Sequence, residues 1–302
     1  MTGSEPLVDV MLPHFGRLDL AQETVRRVLA QDDPGWRLTV VDDSAELPDD
    51  GLGAWCAELG DPRVRYLRNG RNLGINRNFH RCVERVGHDL AVIIGSDDAM
   101  LPGYVRAVRR AFAAHPEVAI VQPGVVVVDE RGAPARTVVD LAKRWVYAPR
   151  VSGPTVLGGE ELAAGLLRGN WLYFPAICWR AGPLRRTGFR EGLSVVQDLA
   201  LVLDLVLDGE SLLVDPTPVF RYRRHRGSVS SAHAADGRRF AEERAFFLDT
   251  AARMDARGWT RAAGAARRHL SSRINAVLRL PSAVAQRDTG GARVLARHAF
   301  RG

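Results

Sequence analysis

Over the first 125 positions of this 302-residue chain, short apolar runs alternate with stretches whose apolar residues recur every three or four positions. The run at 8–12, closed by Pro13, predicts a strand. Val25, Val28 and Leu29 share one face of a helix predicted over 21–30, and Asp32-Asp33-Pro34-Gly35 breaks the chain after it. Strands at 38–41, 64–67, 90–94 and 118–121 then alternate with helices at 51–59, 76–86 and 104–114, the last beginning just after Pro102. Strand and helix in alternation predict an α/β fold, Rossmann-like, with a mostly parallel sheet and helices on both faces.

The pattern changes beyond 125. Apolar residues at 125–128 and 137–139 flank Asp129-Glu130-Arg131-Gly132 and predict a hairpin. Helices are expected at 160–167 and 199–207, and strands at 212–214 and 219–222. From Asp236 the spacing is helical again, with Phe240, Phe247, Ala251 and Met254 on one face and Leu270, Ile274, Val277 and Leu278 on another. Pro281 is expected to end or kink the second of these helices. The chain thus divides into a first subdomain at 1–125, a second at 126–232 and a helical C-terminal extension at 233–302.

Composition narrows the classes. Hydrophobic residues make up 46% of the chain, enough for a sizeable core. No apolar run approaches the ~20 residues that span a bilayer, and positions 1–6 are polar, so the expectation is a cytoplasmic chain without a secretory signal. Cys56, Cys82 and Cys178 are odd in number and far apart, which predicts reduced core thiols rather than disulfides or a zinc site. The net charge of +7 is unevenly placed: positions 233–302 hold fourteen Arg against six acidic residues, or +8, and the remainder holds 28 basic against 29 acidic, or −1. Lys143 is the only lysine. No nucleic-acid motif accompanies the basic tail, so no nucleic-acid partner is expected. Its helices are expected to pack on the main body or to self-associate as a homodimer; peripheral contact with the inner face of a membrane is the second reading.

Candidate chemistry follows from strand ends. In parallel sheets, ligands bind outside the carboxyl ends of the strands. Three polar clusters follow three apolar strands: Pro13-His14-Phe15, Asp42-Asp43 and Ser96-Asp97-Asp98. Carboxylates at such an edge suit Mg²⁺ or Mn²⁺, which take oxygen ligands and share them with phosphates.

These stretches, together with Asn72-Leu73-Gly74-Ile75-Asn76-Arg77-Asn78 and Gly95 through Pro102, resemble in order and spacing the family 2 glycosyltransferases of the GT-A fold. A weaker resemblance continues from Gln197-Asp198 to His225-Arg226-Gly227-Ser228. The resemblance implies an inverting enzyme that moves a sugar from a nucleotide diphosphate-sugar to a hydroxyl acceptor, UDP being the first expectation and dTDP the next. The acceptor would be a saccharide, a lipid-linked glycan or a natural-product aglycone. By the same resemblance Pro13, His14 and Phe15 line the base pocket, Asp43 beside Asp42 accepts from the base, and Arg71, Asn72, Asn78, Ser96 and Asp97 lie along the nucleotide. Asp98, with His225, would hold the divalent cation, and Asp198 would be the catalytic base. Here Gln197 precedes that aspartate where many relatives have Glu, and helix N-capping is the alternative role for Asp198. Trp171, Tyr173, Phe174 and Trp179 fall on the acceptor side. A non-catalytic nucleotide-sugar-binding scaffold, and a nucleotidyltransferase, are the rival readings. The second should carry a glycine-rich basic loop after the first strand, which Pro13-His14-Phe15-Gly16-Arg17 does not resemble.

Overall fold

Four strands set the frame of the computed structural model, which describes residues 6–135, 138–224, 238–285 and 288–300. They are β1 (Val8–His14), β2 (Trp36–Asp42), β3 (Val64–Arg68) and β4 (Leu90–Ile93). They pair in parallel in the order β3-β2-β1-β4. The connecting helices α1 (Leu18–Leu29), α2 (Leu52–Glu58) and α3 (Ile75–Arg85) lie where the apolar spacing put them.

Alternate strand residues feed two cores. Val8, Val10, Leu12, Leu38, Val40, Leu90 and Val92 face one cluster, with Val25 and Val28 of α1 and Leu52 of α2. Met11, Val41, Ala91 and Ile93 face the other, with Cys82 and Val83 of α3. A strand covered on both faces has no polar side, which is why these runs are apolar without alternation.

The sheet continues through β8 (Cys178–Arg180), β6 (Ile120–Val128), β9 (Leu212–Arg223) and β5 (Ala99–Met100), with β7 (Thr155–Leu157) against β9. β8 runs antiparallel to β4 and β6, while β6 and β9 are parallel. β1, β2, β3, β4, β6 and β9 therefore share one direction, and the sheet is mostly parallel. The strand expected at 118–121 extends to Val128 and crosses position 125, so one sheet joins the first two stretches. The two strands expected at 212–214 and 219–222 are one long strand, β9. Its pairing with β6 slips around Gly124, where an added Cβ would lie 2.4 Å from the Pro216 carbonyl oxygen. Only a residue without a side chain lets the two backbones approach there.

Helices α4 (Tyr104–Ala114), α6 (Gly159–Arg168), α7 (Ala181–Thr187) and α8 (Gln197–Leu207) complete the body. The hairpin expected around 129–132 forms as a turn with a bridge from Val128 to Pro134, but its second arm does not become a strand. Val138–Ala142 is instead a short helix, α5, continued by a π-helical turn over Lys143–Tyr147; Thr137 lies outside the described residues.

The C-terminal extension is helical: α9 (Arg238–Ala256), α10 (Thr260–Arg268), α11 (Leu270–Ala285) and α12 (Thr289–Phe300). Phe246, Phe247, Ala251 and Met254 of α9 and the small residues of α10 join the core under α6 and α8. Pro281 does not end α11, which runs on to Ala285.

Candidate functional site

β1, β2 and β4 are parallel neighbours, so their carboxyl ends open on one edge, and all three polar clusters lie there. His14 is buried at the end of β1 and lies 3.5 Å from Asp50, while Phe15 beyond it is 54% exposed. The Gly16 N–H donates to Ser44 Oγ at 2.9 Å, tying this loop to the end of β2.

Asp42 and Asp43 are both buried but do different work. Asp42 accepts from the Ser44 N–H at 2.9 Å and from the Tyr66 hydroxyl at 2.5 Å. Burial and that carboxylate push the Tyr66 hydroxyl up, so it stays a donor. Asp43 accepts from Asn69 Nδ2 at 2.8 Å and from the Leu73 and Gly74 N–H groups at 2.8 and 2.9 Å. It therefore fixes the loop 69–74, whose Arg71 and Asn72 are exposed beside it. Asn78 is wholly inside: it donates to the Val41 carbonyl at 3.2 Å and accepts from Asn69. The Asn78 amide is thus engaged with the backbone of β2 and with the Asn69 side chain of the Asp43 loop.

The third cluster is pinned from both sides. Thr24 Oγ1 of α1 lies 2.9 Å from the carbonyl oxygens of Ser96 and Asp98. The Arg223 N–H at the end of β9 donates to Asp98 Oδ1 at 3.0 Å, and the Arg223 guanidinium reaches the Asp97 carbonyl oxygen at 3.0 Å and both carboxylate oxygens of Glu23 at 2.9 Å. Gly95 lies below. A Cβ there would meet Asp97 Oδ1 and Asp98 Oδ2, each at 2.7 Å. Two carboxylate oxygens therefore converge over a bare Cα. Burial, and then the neighbouring Asp97 charge, raise the Asp98 carboxyl well above its ordinary range. Two carboxylates held together at a strand end are the oxygen-ligand chemistry that suits a divalent cation shared with a diphosphate. No group of three or more His, Cys, Asp or Glu that could hold a metal occurs among the described residues. His225 lies outside the described residues.

Asp198 is the second residue of α8; the residue that caps the helix is Val196, so the capping role does not fall to Asp198. Asn170 Nδ2 reaches Asp198 Oδ2 at 3.4 Å. Burial raises the Asp198 carboxyl, against the Leu199 N–H and the Lys143 charge, which both favour the ionised form. The preceding Gln197 accepts from Asn76 Nδ2 of α3 at 2.8 Å, a tie between the two halves.

Lys143 was overlooked as a site residue, although its being the chain's only lysine was visible. Its ammonium donates to the Leu172 carbonyl at 2.8 Å and stands 4.6 Å from the centre of the Tyr173 ring. Burial, and then the Arg224 charge, lower it to about 8. The Leu172 N–H donates to Asn170 Oδ1 at 3.1 Å, so a chain of hydrogen bonds runs from Lys143 through Leu172 and Asn170 to Asp198. Tyr173 joins the same group: its hydroxyl donates to Asp140 at 3.1 Å, and Arg224 binds the two oxygens of Asp140 at 2.8 and 3.2 Å. Asp140 and Lys143 lie just beyond the arm expected at 137–139, in a stretch for which the apolar spacing predicts no element.

The aromatic cluster divides. Tyr173 packs on Tyr222 at 5.2 Å and lines the site. Trp179 is fully buried in β8, paired across to Ala91 and Ile120, and Trp171 is also in the core. Phe174 stacks on Phe79 at 5.4 Å beside Phe189. Trp179 and Trp171, expected on the acceptor side, thus lie in the core cluster. A concavity of about 520 Å³ lined by Asp32, Asp33, Arg106 and Arg109 lies at the opposite edge of the sheet, away from the carboxylates.

Residues 9–155 match the family described as Glycosyl transferase family 2. The putative colanic acid biosynthesis glycosyl transferase WcaA of Escherichia coli K12 is 27% identical over 99 residues, covering 33% of this chain and 35% of that one. The matched stretch spans about a third of the length of the curated relatives. Among solved structures, mannosyltransferase PcManGT from Pyrobaculum calidifontis, in complex with GDP-Man and Mn²⁺, superposes with a TM-score of 0.59 at 16% identity, over 98% of this chain and 80% of that chain. S. aureus TarS 1–349 in complex with UDP-GlcNAc gives 0.59 at 14% identity, over 81% of this chain and 66% of that chain. At these identities the likeness is one of fold, and the fold is of GT-A type.

Proposed function

We propose that this chain, whose residues 9–155 match the family 2 glycosyl transferases, transfers a sugar with inversion from a nucleotide diphosphate-sugar to a hydroxyl acceptor. The observation that carries this reading is the continuous polar path from Asp97–Asp98 through Arg223 and Arg224 to Asp140, Tyr173, Leu172, Asn170 and Asp198. It supports a reading in which the Asp97–Asp98 edge faces the diphosphate and the raised Asp198 carboxyl faces the acceptor. The solved structures of similar fold hold UDP-GlcNAc in one case and GDP-Man with Mn²⁺ in the other, which supports a nucleotide-sugar donor as a class. UDP is the first donor nucleotide to test and dTDP the next.

The residues divide the work. Phe15 offers an exposed ring against which a base can lie, and Asp43 holds the loop that presents Arg71 and Asn72 beside it. Asp98 with Asp97 would hold a Mg²⁺ or Mn²⁺ ion. Such an ion would offset the negative charge that builds on the departing diphosphate. Asp198 takes the proton from the acceptor hydroxyl on the face opposite the leaving group. Its burial raises its proton affinity, as a general base requires, and the Lys143 charge opposes that shift by favouring the ionised form. Tyr173, half-buried, is the aromatic residue of the expected set that lines the acceptor side. The first two stretches, 1–125 and 126–232, would supply donor and acceptor sides of this one site.

The test is calorimetric titration of the full chain with UDP, dTDP and GDP, with and without Mn²⁺, alongside Asp98→Ala, followed by transfer assays of Asp198→Asn. Binding that needs metal and disappears in Asp98→Ala supports the donor site. Asp198→Asn should bind donor normally and lose on the order of 10²–10⁴-fold in turnover. No nucleotide binding under any condition would sink the reading, and unchanged biological activity in Asp198→Asn would favour the scaffold.

A further inference from the structure

α11 carries apolar residues on its outer face. Leu270, Ile274, Val277, Leu278 and Val284 are all exposed, Leu278 and Val284 at 69% and 64%. At 100° per residue they fall within an arc of about 120°, one stripe along the helix. The inner face is already used: Ala276 packs with Phe240, Leu295 and Ala299, and Ser272 Oγ lies 2.8 Å from His298 Nε2. Nothing among the described residues covers the outer stripe. A helix held on one side by its own core and apolar on the other marks an interaction surface.

Charge selects the occupant. From position 260 to the end the sequence holds nine Arg and a single acidic residue, Asp288. Arg268 is exposed just ahead of Leu270, and Arg293, Arg297 and Phe300 are exposed on the partner helix α12. A second copy seated on this face would bring two such arginine sets together with almost no carboxylate to offset them. A surface that is apolar inside and anionic outside satisfies both features: side chains of the stripe enter the acyl boundary and arginines meet the headgroups. No described helix is long and apolar enough to cross a membrane, so the contact is one of surface and not of span.

We propose that the outer face of α11, with the arginines of α10 and α12, docks on an anionic lipid bilayer. The inference does not rest on the sugar-transfer reading; it stands or falls on vesicle binding alone.

Co-sedimentation of the full chain with phosphatidylcholine vesicles and with mixed phosphatidylcholine–phosphatidylglycerol vesicles tests it. The expected result is binding about tenfold or more stronger to the anionic vesicles, weakened by added salt. Ile274→Asp with Leu278→Asp should reduce binding by about tenfold, with helix content unchanged by circular dichroism, since both side chains are exposed. Should that variant unfold, Arg268→Glu with Arg293→Glu and Arg297→Glu keeps the stripe intact and should abolish the preference for anionic lipid. Absence of vesicle binding, or equal binding to neutral vesicles, overturns the proposal. So does sedimentation showing a dimer that Leu278→Asp dissociates, because the stripe would then be covered by a second copy.

Discussion

At the scale of single residues, the site depends on positions whose role is spatial and not chemical. Gly95 bears no functional group, yet a methyl there would press on both carboxylates of the candidate cation site. Gly95→Ala should cost about 1–3 kcal/mol of stability. It should also lower metal-dependent nucleotide binding, read by denaturant unfolding and calorimetry on one preparation. Normal nucleotide affinity in that variant would show that Asp97 and Asp98 do not act as a pair. Lys143 acts on Asp198 in the opposite sense to burial: burial favours the protonated carboxyl, the ammonium the ionised one. Losing the ammonium raises the carboxyl further. In Lys143→Met the acid limb of the kcat/KM profile should therefore move to higher pH, with donor affinity kept. Lys143→Arg should leave the limb near its original place. An unmoved limb in Lys143→Met would assign Lys143 to packing of the Leu172 strap alone.

Among the elements, the helix that carries Asp198 is held from behind by the C-terminal extension. Glu242 of α9 accepts from the N–H groups of Ser194, Val195 and Val196 at 2.9, 2.8 and 3.3 Å, directly before α8 begins. Asp204 of α8 binds Arg190 at 2.6 and 2.7 Å and Arg253 of α9 at 2.5 Å. Glu242→Ala leaves three backbone donors without this acceptor, and should cost about 1–3 kcal/mol. In a transfer assay it should lower kcat more than donor affinity, because the damage lies next to Asp198 and not at the nucleotide edge. Equal loss of both would point to general destabilisation. The helices and strands of the first 125 residues were legible because their apolar periods were clean. The segment 138–147 was not, because a few valines after a turn suit a strand as well as a helix, and a contact with Tyr173 and Leu172 decides between them.

Across the whole molecule, two cores lie on the two faces of one sheet, and α9 and α10 extend one of them, while Phe240, Ala276, Leu295 and Ala299 form a smaller cluster of their own. This smaller cluster is closed by a polar group in which Ser272 bonds Glu243 and lies against His298, with His269 5.2 Å away. Burial, and then the neighbouring His269, lower His298 to about 4. A histidine whose folded pKa lies below its unfolded value near 6.5 favours the fold fully above that value, and the stabilisation is lost as pH falls through 6.5 toward 4. The C-terminal helices should therefore loosen below pH ~6 while the sheet persists. Hydrogen exchange at pH 7 and pH 5 checks this. Equal protection of α11 and α12 at both values would contradict it, and His298→Phe should reduce the acid sensitivity of that region, leaving the part due to His269, which burial also lowers.

The sequence by itself determined the α/β class, the strands β1 to β4, and the convergence of three polar clusters on one edge. These follow from local periodicity and from the rule that parallel strands share a carboxyl edge. Asp42, Asp43, Asp97 and Asp98 stood out as candidates because they directly follow apolar strands, whereas Asp198 was singled out by the family resemblance alone. Only tertiary structure decided the rest. Asn78, Trp171 and Trp179 lie in the interior, and burial depends on what packs from distant sequence. Asp140 and Lys143 came beside Tyr173 and Leu172 because α5 and the π-helical turn that continues it fold against that segment. The outer face of α11 remained exposed because its inner face, and not its most apolar one, meets the small residues of the C-terminal core.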